Sequence, residues 1–123
     1  MKNLQTAPIQ VPDFQTCKLL KEAGLLPPEE AFFFIGEGRI FAYCGNDLLN
    51  GNYAGKDVYF APTADQLLSL VIKLAIEKGY NLSLQFGKDY GADWIPHFKN
   101  IPVLPNPNAA QYLAEVLLWL LKQ

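Results

Sequence analysis

The stretch Ala109–Lys122 constrains this chain most tightly. With Ala109 at 0° on a wheel of 100° per residue, the polar residues Gln111, Glu115 and Lys122 fall at about 200°, 240° and 220°. The remaining positions, among them Tyr112, Leu113, Val116, Leu117, Leu118, Trp119, Leu120 and Leu121, are apolar. One sheet face needs an apolar arc of little more than about 100°, and Leu113, Val116, Leu117 and Leu120 supply it. The surplus is Trp119 with Tyr112 on one flank and Leu118 with Leu121 on the other. It must be covered by the first helix or the proline-rich segment of the same chain, by a second copy, or by another protein. The apolar window is too short for a membrane span, which takes about 20 residues.

The other helices are bounded by local chemistry. Asp13 is a good N-cap for Phe14–Ala23, Gly24 suits the position after its end, and Pro27-Pro28 stops continuation. Thr63 and Gln66 form a capping-box pair ahead of a helix from Ala64 to Lys78, and Gly79 ends it. In that helix Leu67, Leu68, Val71, Leu74 and Ala75 are expected to pack on a sheet, with Gln66, Ser69, Lys73 and Glu77 in water. Asn108 caps the last helix.

Between them lie strand patterns. Ala31–Ile35 and Ile40–Cys44 are aromatic-rich runs around Gly36-Glu37-Gly38-Arg39, a hairpin signature. Phe32 and Phe34 face one way and Phe33 and Ile35 the other, so both faces ask for cover. Asp57–Ala61 is a third strand, Tyr80–Phe86 a fourth with clean alternation, and Asp93–Phe98 a short edge strand because Pro96 cannot donate to a ladder. The expected architecture is a single α+β domain over 13–123: a mainly antiparallel sheet of four to five strands with three helices packed on it, after an extended N-terminal arm over 1–12. The connection from the third strand to the fourth is long enough for parallel pairing, and the pattern leaves that open.

Composition narrows the function. Half the residues are hydrophobic, which excludes wholesale disorder, and charged residues are only 18% with a net charge of −2. A single arginine, Arg39, and scattered lysines argue against a nucleic-acid partner. The opening residues lack a signal peptide's apolar core, so a cytoplasmic protein with no membrane partner is expected. Cys17 and Cys44 match no redox motif and read as reduced, buried thiols.

Chemistry-bearing motifs are scarce. Gly51–Asp57 looks like a phosphate loop, but the Walker spacing and its Ser or Thr are missing. Asn46, Asp47, Asn50 and Asn52 fail calcium-loop spacing. With one histidine and two distant cysteines, no zinc site, other metal site or cofactor is expected. No catalytic residues are assigned. The best local ligand-binding candidates are Asp93, Trp94 and His97, with Tyr53 from the preceding loop. Asp93 and His97 sit four apart, close enough to interact on a helix and about 13 Å apart on a strand.

Three stretches together resemble a known family: Cys17–Gly24, Tyr59–Leu67, and Asn108–Ala110 leading into Leu113–Leu120. The family consists of small uncharacterised proteins of bacteriophages, prophages and the bacterial genomes that carry them. The resemblance covers about residues 13–121. It implies a cytoplasmic, mobile-element setting and supplies no catalytic residues. The leading expectation is a non-enzymatic protein that self-associates as a homodimer through Tyr112, Leu118, Trp119 and Leu121. The alternative is a small-molecule-binding protein or enzyme with a pocket near Tyr53, Trp94 and His97.

Overall fold

The fold is that of a computed structural model, which describes residues 10–28, 31–35, 39–43, 58–80, 84–87, 95–98 and 100–123. In chain order these form α1 (Phe14–Glu22), β1 (Ala31–Ile35), β2 (Arg39–Tyr43), β3 (Val58–Ala61), α2 (Ala64–Glu77), β4 (Leu84–Gly87), β5 (Ile95–Phe98) and α3 (Ala109–Leu121). The mixed α+β character matches the sequence pattern.

Each helix starts and stops where local chemistry dictates. The Asp13 carboxylate accepts the Thr16 amide at 2.8 Å. At α2 the box is reciprocal: Thr63 Oγ1 accepts the Gln66 amide, and Gln66 Oε1 accepts the Thr63 amide. Asn108 Oδ1 accepts the Gln111 amide at 3.1 Å. Gly24 and Gly79 stand at φ +96° and +80°, a left-handed turn that glycine enters at little cost.

The expected four-to-five-stranded sheet is corrected. The described strands form two separate sheets, a three-stranded one in the order β2-β1-β3 and a two-stranded one of β4 with β5. All pairings are antiparallel: Phe33 opposes Phe41 and Phe60, and Leu84 opposes Phe98. The β3-to-β4 crossover therefore ends in a different sheet. The physical reason lies in α2, whose buried stripe, Leu67, Val71 and Ala75, faces α3 rather than a sheet. A helix that is apolar nearly all round is the larger sink for apolar surface, so α3 draws α2 onto itself and takes the following strand away from β3.

The three helices do not share one sheet. In the main core Leu67, Val71 and Ala75 of α2 meet Leu113, Val116 and Leu120 of α3, with Leu20 of α1, Phe98 of β5 and Ile101 alongside. A second cluster seats α1 on one face of the larger sheet: Cys17, with Phe14 beside it, packs on Phe34, Ala61 and Tyr59. The Phe14 ring meets Phe34 and Tyr59 edge-on, at 5.6 and 5.2 Å. On the opposite face Phe33, Val58 and Phe60 are buried. Both faces of β1 are thus covered, as its unbroken aromatic run demands.

Candidate functional site

The polar stripe of α3 runs from buried to exposed along the helix, with Glu115 half-buried and Lys122 in water. Gln111 is buried and joins α3 to the start of α1. Its Oε1 accepts the Asp13 amide at 2.8 Å, and its Nε2 donates to Thr16 Oγ1 at 2.9 Å and Glu115 Oε2 at 2.8 Å. Asn108 Nδ2 donates to the Val11 carbonyl at 2.9 Å, and Gln10 Oε1 accepts the Ala109 amide at 3.3 Å. Residues 10–12, the end of the expected arm, are thereby pinned against α3, with Val11 and Pro12 buried. Residues 1–9 lie outside the described residues. Among the described residues no buried side-chain nitrogen or oxygen lacks a partner, so the seam works as a fastener between helices.

Tyr53, Asp93 and Trp94 lie outside the described residues. His97 is half-buried in β5, a strand, with its ring 6.2 Å from that of Tyr112. Among the described residues no three of His, Cys, Asp and Glu gather as metal ligands, and no helix is long and apolar enough to cross a membrane. Cys17 is fully buried against the Pro12 carbonyl, 3.6 Å from its sulfur. Burial, and then the Asp13 charge, push its thiol up to about 12, so it stays protonated and unreactive at neutral pH. Cys44 lies outside the described residues.

The four interface candidates separate. Tyr112 is corrected: it is fully buried in its own chain, and its hydroxyl accepts the Phe98 amide at 2.7 Å, tying β5 to α3. Burial raises its pKa, and the Phe98 hydrogen bond partly opposes that. Trp119 is half-buried with its ring edge against Tyr80 at 5.4 Å. Leu118 is half-buried, and Leu121 is 43% exposed.

Leu121 sits between two shallow hollows on the helical side. One, of about 300 Å³, lies between α2, α3 and the turn after α1, with Leu25, Leu70, Leu74 and Leu117 in its wall and Lys73 and Glu77 on its edge. The other, of about 420 Å³, holds Leu19, Ala23 and Leu118, with Glu22 and Lys122 on its edge. Both share Ala23 and Leu121. Leu19 is 51% exposed, and beyond Lys73 and Glu77 the outer face of α2 carries Ile72 and Ile76 at 40% and 69%. Sequence reasoning passed over Ile72 and Ile76 because it spent its search for surplus apolar surface on α3. The signal that finds them is the same wheel applied to α2, where both fall opposite Leu67 and Val71. Such a surface offers apolar contact and a few exposed charges of both signs, and none of the polar groups assigned to it forms a nucleophile–base pair.

Compared with family models, with curated proteins and with solved structures, the chain matches none.

Proposed function

We propose that this chain is a non-enzymatic interaction protein that associates with copies of itself through the helical side of the fold. One observation carries the reading: Leu19 and Leu121 stand exposed at two adjoining apolar hollows, and Ile72 and Ile76 stand exposed on the outer face of α2 beyond them. Exposed apolar surface gathered in one region and rimmed by charge is what a protein contact presents. The rim is mixed, with Glu22 and Glu77 against Lys73 and Lys122, so it does not repel a second copy.

A cytoplasmic setting is supported by Cys17, a buried thiol that suits a reducing compartment. A phage or prophage setting is supported by the three sequence stretches described above. Light scattering beside native mass spectrometry, over a range of protein concentrations, tests the function. A monomer–dimer equilibrium is the expected result. A mass that stays at 13.8 kDa at high concentration overturns the reading, and a bound small molecule would point instead to a ligand-binding role.

A further inference from the structure

The outer face of α2 is self-complementary about a two-fold axis. With Ile72 at 0° on the wheel, Ile76 falls at about 40°, Ser69 at about 60°, Lys73 at about 100° and Glu77 at about 140°. All five are exposed. The apolar pair and the charged pair are each spaced by four residues, and their midpoints, residues 74 and 75, nearly coincide. A two-fold axis crossing an antiparallel helix pair near that point keeps each flank on its own side and reverses the direction along the axis. It sets Ile72 beside Ile76 of the second copy, Lys73 beside its Glu77, and Ser69 beside its Gly79. The small residues at the ends let the backbones approach.

We infer that two copies of this chain pack α2 against α2 in antiparallel fashion, with Ile72 and Ile76 at the centre and two Lys73–Glu77 pairs on one flank. The inference rests on the self-association proposed above and adds its geometry. Charge order selects the occupant. A parallel pairing about a two-fold puts the two charged flanks on opposite sides of the contact, so Lys73 meets no Glu77, whereas the antiparallel one opposes unlike charges at both places. Two-fold contacts are also the usual way for a chain to meet itself, because each residue's contact is returned by the partner. The outer face of α2 from Ser69 to Gly79 spans only about 15 Å, short for a stable interface, so a reversible dimer is expected rather than a permanent one.

Charge reversal tests the geometry on exposed positions that leave the core alone. By sedimentation of the full chain, Lys73→Glu and Glu77→Lys should each weaken the dimer about tenfold, since two attractive pairs become repulsive. The double variant should recover wild-type association. An equimolar mixture of the two single variants should form a heterodimer at least as tight as the wild-type dimer, because both 73–77 contacts are then attractive. Ile76→Asp should leave a monomer with an unchanged melting curve. A wild-type dimer that tolerates Ile76→Asp and both reversals keeps the self-association and overturns this placement. A wild-type monomer overturns both. A ladder of masses beyond the dimer rules out the closed two-fold contact.

Discussion

Replacing Gln111 by alanine is expected to unfasten α1 from α3. The side chain makes three hydrogen bonds, to the Asp13 amide, the Thr16 hydroxyl and the Glu115 carboxylate. A net contribution of about 0.5–1.5 kcal/mol for each gives roughly 1.5–4.5 kcal/mol. Asp13 is exposed and Glu115 half-buried, so water re-solvates part of what is lost, and about 2–3 kcal/mol remains. Unfolding entropy of about 2.1 cal/mol/K per residue amounts to about 0.26 kcal/mol/K for this chain, so the melting temperature should fall by about 8–12 °C. Urea unfolding with an unchanged slope is the second readout, because it reports stability separately from any change in compactness. Gln111→Glu sharpens the test. It keeps the shape and the bond from the Asp13 amide but sets a second carboxylate against Glu115. Their repulsion should make this variant less stable than wild type at neutral pH. A Gln111→Ala variant within about 0.5 kcal/mol of wild type would refute the view that this seam joins the two helices.

Three further outcomes follow from the same structure. Tyr112→Phe leaves the buried Phe98 amide without its acceptor and should cost about 1–3 kcal/mol in denaturant unfolding; an unchanged midpoint would show that the amide finds another partner. Thr63→Ala removes one half of the capping box and should cost about 1 kcal/mol, read as a lower melting temperature of the full chain. The Cys17 thiol has its pKa raised from 9.0 to about 12 by burial. Its contribution to stability is complete below pH 9 and is lost as pH rises toward 12, because the unfolded chain gives up that proton first. Tyr112, raised above its ordinary 10.0, adds to the same loss from pH 10 upward. Cys17→Ala should therefore flatten the alkaline side of the stability profile, and an unaltered profile would mean the thiol is not what titrates.

The helices were legible because their signals are local. Asp13, Thr63 and Asn108 cap through bonds that span three residues, and Gly24 and Gly79 reverse the chain at the ends, so each boundary is written within one turn of itself. The β1–β2 pairing follows the same logic, since an apolar run returned by a glycine turn has few alternatives, whereas the pairing of β3 with β1 rather than β2 is not written in any local signal. The unbroken aromatic character of Phe32–Phe34 rightly demanded cover on both faces.

What only the tertiary structure decided is which surfaces meet. Periodicity gives a helix an apolar side but does not say against what that side packs, because burial in any apolar setting is worth nearly the same. The pattern assigns the stripe of Leu67, Val71 and Ala75 to a sheet, whereas α3 takes it. On the wheel Gln111 reads only as part of a narrow polar stripe. Its burial depends on Asp13 and Thr16, which lie more than ninety residues away in sequence. Tyr112 read as surplus, yet a single buried amide on β5 gives its hydroxyl a partner and draws the ring into the core. With α3 so enclosed, part of the apolar surface left over stands at the rim of the helices and on the outer face of α2, with Leu26 and Leu104 exposed in the connecting segments. The amino-acid order determined how much apolar surface had to be hidden, and long-range packing decided which part stayed in water.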